Sequence, residues 1–498
     1  MLEACRRIAQ LHEESVGTLL EVGELASGFG FMGYARQCFK KVLLADPTNV
    51  GALVDLGNLA RDCGQHSKSR QIYANLLQLM PNHPVLRRNF LLGLEYDPTA
   101  SLQERFAQAR AWGAWAVAQR VEPGPRPPPR LSDLLPLRVG YISADFCQHT
   151  VGLFIKEVLA AHDPLRVRPF AYDAGHTQDW VSHEIRQVCQ YRSVAALDDF
   201  SLARLIQQDK IDVLVDLSGH TAGSRLTVFT HRPAFLQVSW LGYFATTGLS
   251  CMDALLTDRW HAPAGSQVFF SESIVNLARG RLCYTPLPFA PPPRPSPYLV
   301  NGFVTFGSFN NTAKYHAGVF SLWATILRQT PESRLILKWR TFNDAEFRRS
   351  VADQFVALGV AAERVELRGP SFHKDMLDQY GDIDIGLDPF PFSGGLTSCE
   401  ALWMGVPVVT WPQEMMVSRQ TFAILSSIGL DQLAATDGEG YRRIAIGLAR
   451  DIPALVQLRS GLREQMLRSP LMDLPGFTGA LEQCLIDLYR ARRADCAS

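Results

Sequence analysis

The residues best spaced for chemistry lie in the segment Asp388-Pro-Phe-Pro-Phe-Ser-Gly-Gly-Leu-Thr-Ser-Cys-Glu400 and the ten that follow it, Ala401 to Thr410. A strand ending at Asp388, a glycine pair (Gly394, Gly395), a helix opening around Thr397 and a glycine stop at Gly405 describe a turn feeding a helix N-terminus. Unpaired N–H groups and the positive end of a helix dipole at such a turn suit a phosphate or diphosphate. Glu400, one turn into the helix, is placed to accept hydrogen bonds from sugar hydroxyls of the same ligand. The same pattern also serves as an ordinary βαβ turn with glycines for packing, and a Gly-rich turn alone does not decide between the two.

Within a helical region read as residues 1–121, the first hundred residues repeat at a period of 34: Gly23 matches Gly57, Ala26 matches Ala60, Gly30 matches Gly64, Ala35 matches Ser69, Phe39 matches Tyr73 and Pro47 matches Pro81. Small residues at fixed offsets let two helices approach, aromatic residues fill the gap and a proline ends each unit, which is the tetratricopeptide pattern. Asn82 to Pro84 with Leu86-Arg-Arg-Asn-Phe reads as a degenerate third repeat or a capping helix. About three repeats are needed for an independent solenoid, so this unit is expected to lean on the next domain. Residues 122–136, with Pro123-Gly-Pro-Arg-Pro-Pro-Pro129, read as a stiff linker.

Beyond the linker short apolar strands alternate with helical segments. The expected strands are Leu137–Ser143, Val167–Tyr172, Ile211–Leu217 and Phe235–Leu241, then, after a proline cluster from Pro286 to Pro297, Val304–Phe309, Arg334–Lys338, Val365–Leu367, Ile383–Leu387 and Val406–Thr410. This alternation predicts an α/β class with two Rossmann-like blocks, 137–298 and 299–498, facing each other across a cleft. Ligands in such sheets sit beyond the carboxyl ends of the strands, where the 388–400 loop falls.

Lys+Arg and Asp+Glu are balanced at 49 each among 498 residues, so no global field favours nucleic acid or an anionic membrane. No apolar run reaches membrane-spanning length and the N-terminus lacks a signal-peptide core. Ten cysteines without C-x-x-C pairs point away from zinc and disulfide frameworks and toward a reducing, cytoplasmic setting. Asp382 and Asp384 have the spacing of a metal-binding Asp-x-Asp, but no histidine or third carboxylate is placed to complete an oxygen shell, and the pair is read as structural.

Five segments, in order, resemble the O-linked N-acetylglucosamine transferase family, which includes the plant SPINDLY-type fucosyltransferases. They are Leu137-Arg-Val-Gly-Tyr-Ile-Ser-Ala-Asp-Phe-Cys-Gln-His149, Asp216-Leu-Ser-Gly-His-Thr221, Arg232-Pro-Ala-Phe-Leu-Gln-Val-Ser-Trp-Leu-Gly-Tyr243, Phe309-Asn-Asn-Thr-Ala-Lys314 and Asp388–Thr410. The resemblance covers essentially the whole chain and is to a bacterial-type member. It implies a GT-B fold preceded by the repeats. It also implies metal-independent, inverting transfer of a sugar, N-acetylglucosamine foremost, from a nucleotide diphosphate such as UDP-N-acetylglucosamine to Ser or Thr of a protein held by the repeats, with no cofactor beyond the donor. Fucose or another donor sugar, an asparagine or glycan acceptor, and a non-catalytic scaffold are the alternatives.

Lys314, just past a strand end, is the best candidate cation for a leaving diphosphate, and it falls where the family has its diphosphate-contacting lysine. Asn310 and Asn311 beside it serve equally as phosphate or sugar ligands and as turn residues. His149 falls where the family has its active-site histidine, which could accept the acceptor's proton or orient the acceptor backbone; Asp209 and Asp216 are alternative carboxylates. The donor-binding set implied is Asn310, Asn311, Lys314, Ser371, His373, Gly394, Gly395, Leu396, Thr397 and Glu400. The chain departs from the family's N-acetylglucosamine transferase at Ala313 (a tyrosine there), Met376 (a histidine there, with His373 three residues earlier here) and Gly395-Leu396-Thr397 (His-Thr-Thr there). Those departures bear on nucleotide and sugar identity rather than on transfer.

Overall fold

The computed structural model describes residues 1–11, 15–120, 126–129 and 135–497. Seven helices come first: α1 (Leu2–Leu11), α2 (Val16–Gly28), α3 (Met32–Ala45), α4 (Val50–Asp62), α5 (His66–Leu79), α6 (Pro84–Tyr96) and α7 (Leu102–Gln119). Helices α2, α4 and α6 start 34 residues apart, so the third pair keeps the repeat period. Ser15, Asn49 and His83 occupy one repeat position, and each side chain accepts from the backbone N–H three residues on, capping its helix. The repeat glycines make the packing possible: a Cβ on Gly23 would lie 2.4 Å from the Phe39 ring, and one on Gly57 2.9 Å from Tyr73. Residue 121 and, of the linker, residues 122–125 and 130–134 lie outside the described residues; Arg126 bonds Phe235 O (2.9 Å) and Asp253 (3.0 Å).

Two all-parallel sheets follow. The first contains β1 (Leu137–Ser143), β2 (Val167–Asp173), β3 (Gln190–Ser193), β4 (Val213–Asp216), β5 (Leu236–Ser239), β6 (Ala254–Thr257) and β7 (Ser273–Asn276), in the order β3-β2-β1-β4-β5-β6-β7. The second contains β8 (Thr305–Ser308), β9 (Arg334–Lys338), β10 (Val365–Arg368), β11 (Ile385–Leu387) and β12 (Val408–Val409), in the order β10-β9-β8-β11-β12. All nine expected strands form. The three unforeseen ones, β3, β6 and β7, are four residues each, and β3 and β7 carry partly polar, partly exposed sequences without a continuous apolar run. In each sheet the strand order reverses once, between β1 and β4 and between β8 and β11. The crevice for a ligand lies at such switch points, beyond the carboxyl ends of the strands.

The repeats are part of the body of the molecule. Leu91, Leu94, Ala109, Trp112 and Ala116 share one core with Ile142, Tyr172, Leu214 and Phe229 of the first Rossmann-like block. Where α7 crosses this block, a Cβ on Gly113 would meet Gly248 O at 1.9 Å. A backbone carbonyl cannot rotate out of the way as a side chain can. We therefore expect Gly113→Ala to destabilise by about 1–3 kcal/mol net, outweighing the ~1 kcal/mol that alanine gains over glycine in a helix; an unchanged urea midpoint would show that this contact is not close-packed in solution.

The chain end also crosses between blocks. The helix Leu474–Ala497 follows the second sheet yet sends Glu482 to His162 (3.0 Å) and Arg166 (2.9 Å), and Tyr489 to Phe235 (ring centroids 5.1 Å), in the first. Among the described residues no helix is long and apolar enough to cross a membrane.

Candidate active site

Asp388 follows β11 and holds the glycine loop. Its Oδ1 accepts from Gly394 N (2.6 Å), its Oδ2 from Thr410 Oγ1 (2.6 Å) and its backbone oxygen from Tyr441 OH (3.0 Å). Burial pushes the Asp388 carboxyl up to about 6, against the opposing pull of Thr410, Lys314 and Gly394. The helix Leu396–Trp403 then starts, with Gly395 at its cap, and Gly405 (φ +81°) follows its end as the sequence predicts. The two glycines divide the roles foreseen for them. The Gly394 amide is committed to Asp388, and a Cβ there would lie 2.2 Å from Ser398 Oγ, so Gly394 serves packing. The N–H groups of Gly395, Leu396 and Thr397 have no acceptor among the described residues and form the open end of the helix.

Lys314 reaches this helix start from the other side of the switch point. The chain leaves β8, passes Asn310 and Asn311 and enters a 3-10 turn, Thr312–Lys314. Asn310 Oδ1 accepts from both Lys314 Nζ (3.1 Å) and Thr397 Oγ1 (3.2 Å), tying the two loops together. Lys314 Nζ also donates to Ser393 O (2.8 Å) and sits 4.7 Å from the Phe392 ring centroid. An ammonium has three donors, so one remains. No carboxylate lies within 4 Å of Nζ among the described residues, and burial draws its pKa down to about 8, with Asp388 opposing. Asn311 takes the turn role, its Oδ1 accepting from Ala313 N at 3.0 Å.

Glu400 is buried at 2 % exposure beneath the same loop and contacts His373 Nε2 at 2.5 Å. Burial raises the Glu400 pKa, with His373 opposing. His373 Nδ1 lies 3.3 Å from Gln148 Nε2, and Gln148 Oε1 accepts from Trp180 Nε1 (3.0 Å). With Gln148 donating to Nδ1, the Nε2–H of His373 points at Glu400, so one chain of hydrogen bonds joins the two Rossmann-like blocks. His149, next to Gln148, caps the helix α8 (Thr150–Ala161) through Nδ1 (3.4 Å from Val151 N), lies 3.6 Å from Asp145 and keeps its ring half exposed. Burial raises the Asp145 carboxyl pKa, with His149 opposing.

Ser371 is exposed on the approach to His373, and Leu396 and Met376 are half-buried against the core. Asp216 is buried, accepting from Ser218 N (3.1 Å), Gly219 N (2.9 Å) and Ser239 Oγ (3.2 Å), so it shapes the loop after β4 rather than facing a ligand. Asp209 pairs with Arg192 at 3.1 Å and accepts from Tyr172 OH. Asp382 pairs with Arg294 (2.9 Å) and Arg368 (2.6 Å); Asp384 accepts from Ser296 Oγ, Tyr298 N and Thr305 N. Both carboxylates of the Asp-x-Asp are thus taken by protein donors. Among the described residues no three His, Cys, Asp or Glu side chains are grouped to hold a metal.

The sequence reading missed Gln148, Phe392 and the loop-holding function of Asp388. The only signal for Gln148 was its place beside His149. A cavity of about 750 Å³ opens where α6 and α7 meet loops of both blocks, lined in part by Phe106, Phe244, Phe270 and Trp411.

The family model described as glycosyl transferase family 41 matches residues 130–282 and 294–481. SPINDLY of Arabidopsis thaliana, named a probable UDP-N-acetylglucosamine–peptide N-acetylglucosaminyltransferase, is 36 % identical over 410 residues, covering 81 % of this chain and 45 % of that protein. The protein of the same name from Oryza sativa is 35 % identical over 425 residues, covering 84 % and 46 %. The Arabidopsis protein SEC, with the same enzyme name, is 28 % identical over 368 residues, covering 71 % and 37 %. The chain therefore spans less than half the length of these curated relatives. A solved structure of a Thermobaculum terrenum O-GlcNAc transferase mutant superposes with a TM-score of 0.93 at 32 % identity, over 99 % of this chain and 94 % of that one.

Proposed function

This chain belongs to glycosyl transferase family 41, and on that premise we propose that it transfers N-acetylglucosamine from UDP-N-acetylglucosamine to a hydroxyl of a polypeptide. The observation that carries the reading is the convergence of the Lys314 ammonium and the unpartnered amides of Gly395, Leu396 and Thr397 around Asn310. It is a concentration of positive charge and donors, with no carboxylate within 4 Å of Nζ among the described residues, suited to a diphosphate.

In the reaction the bond from C1 of the sugar to the diphosphate breaks as the acceptor oxygen bonds C1 from the opposite face, inverting that centre. The hydroxyl proton leaves, and negative charge grows on the departing diphosphate. Lys314 and the helix N-terminus meet that charge with donors already in place, which lowers the barrier without reorganisation. Glu400, oriented by His373, accepts from hydroxyls of the donor. His149 is the base on this reading in the tautomer whose Nδ1–H faces Asp145 (3.6 Å) in place of the Val151 N–H contact, which leaves the Nε2 lone pair without a partner among the described residues. Metal independence follows from the same picture: the positive charge is the protein's own, and Asp382 and Asp384 are engaged elsewhere. The stacked helix pairs make a curved surface of the kind that holds an extended peptide, so the repeats are the acceptor-presenting element.

The test is thermal shift with UDP, GDP and ADP, joined to transfer from UDP-N-acetylglucosamine onto a protein acceptor with and without excess chelator. UDP is expected to raise the melting temperature, since a ligand at 100 times its Kd adds about 2.7 kcal/mol to the native state, and chelator to leave the rate unchanged. A shift with GDP alone would move the donor to a guanosine-linked sugar. Activity lost to chelator and restored by manganese or magnesium would overturn the metal-free mechanism.

A further inference from the structure

Behind Lys314 stands a column of rings that begins in the repeats. His66, at the start of α5, stacks on Tyr96 at the end of α6 (centroids 6.5 Å, planes 13° apart); Tyr96 stacks on Phe392 (4.5 Å, 26°); and Lys314 Nζ lies over Phe392 at 4.7 Å. A second contact reaches the same lysine from its backbone side. Thr312 Oγ1, in the turn that carries Lys314, donates to Asp62 O at the end of α4 (2.7 Å). Two residues on, Gly64 (φ +72°) comes so close that a Cβ would lie 2.1 Å from Tyr315 O. The loop holding Phe392 and the turn holding Lys314 come from different switch-point strands, and the repeats touch both.

We infer that the repeat region is a structural wall of the diphosphate site, with Tyr96 acting through Phe392, and the Asp62–Gly64 turn acting through Thr312, as positioning elements that fix the Lys314 ammonium. Tyr96 touches no reacting atom. Its ring face carries the contact, so the phenolic oxygen is dispensable and the flat ring is not. An ammonium over a ring face is held by the ring quadrupole, and a ring free to tilt no longer defines where that charge sits. Charge stabilisation of a leaving group depends on donors being in place before charge develops, so the effect belongs in turnover rather than in acceptor affinity. The inference rests on Lys314 serving the diphosphate, as proposed above.

The experiment measures kcat, the KM of both substrates, UDP affinity by calorimetry and melting temperature for Tyr96→Leu, Tyr96→Phe, Thr312→Val and Lys314→Met, with the double variant Tyr96→Leu/Lys314→Met. Expected are a fall in kcat of roughly tenfold for Tyr96→Leu with acceptor KM unchanged, wild-type kcat for Tyr96→Phe, and a few-fold fall for Thr312→Val. Tyr96→Leu should add nothing to Lys314→Met, because both remove the same interaction. A Tyr96→Leu loss confined to acceptor KM or melting temperature, or one that multiplies with Lys314→Met, would overturn the inference while leaving the diphosphate reading intact. Unchanged UDP affinity and turnover in Lys314→Met would sink that reading itself.

Discussion

Lys314→Ala lowers transfer by about 10²–10³ in kcat in a protein that still folds. Removing one pre-placed donor from a developing oxyanion raises a barrier by about 3–4 kcal/mol, and Lys314 brings a full positive charge to the proposed diphosphate position. The fold survives because neither of its acceptors is orphaned. Ser393 O keeps Gln420 Nε2 at 3.3 Å, and Asn310 Oδ1 keeps Thr397 Oγ1 at 3.2 Å. The half-buried ammonium leaves no unpaired charge behind when it goes. The same lysine sets a pH dependence. Burial depresses its pKa to about 8 in the unliganded protein, so the cation is present below that pH and lost above it. Affinity for UDP should therefore fall as pH rises through about 8, with proton uptake on binding in that range. Lys314→Ala should be weak and flat over the same interval. Near-normal turnover in this variant, or an affinity that rises with pH, would remove Lys314 from the mechanism.

Much of this site was legible before the structure because its elements obey local rules. Gly405 stops a helix, Lys314 follows a strand end, and the repeat glycines lie opposite aromatic residues 16 positions on, all visible as types at fixed offsets. What was not legible depends on distance in space. Gly394 and Gly395 look alike in sequence, and only the placement of Asp388 and Ser398 commits one amide and frees the next. Asn310 and Asn311 are likewise adjacent and identical, yet the turn geometry sends one to Lys314 and folds the other back on Ala313. Gln148 gains meaning from His373, 225 residues away. β3 and β7 escaped because short, partly exposed strands need no continuous apolar run.

A solenoid of about three repeats is expected to lean on the next domain, and the structure shows how far it does so. The packing predicts that a chain lacking residues 1–121 loses both cooperative folding and affinity for UDP. Leu91, Leu94 and Trp112 are buried to 5 % exposure or less against the first Rossmann-like block, and each fully buried large side chain of this kind is worth about 1.5–3 kcal/mol. Their loss alone takes away about 5–9 kcal/mol, comparable with the whole stability of a typical domain, about 5–15 kcal/mol. The second block is stripped as well, losing Asp62 O from Thr312, Gly33 N from Asp344 (2.7 Å) and Phe29 O from Asn343 (2.8 Å). Removing residues 1–48 is the discriminating control, since α4 to α7, with Asp62, Gly64 and Tyr96, remain. That shorter deletion should fold, bind UDP within a few-fold of the full chain, and show its deficit in acceptor KM. The two deletions are compared by circular dichroism melts and by calorimetry with UDP. A cooperatively folded 122–498 chain that binds UDP like the full protein would show that the contacts of α6, α7 and Tyr96 do not support the site.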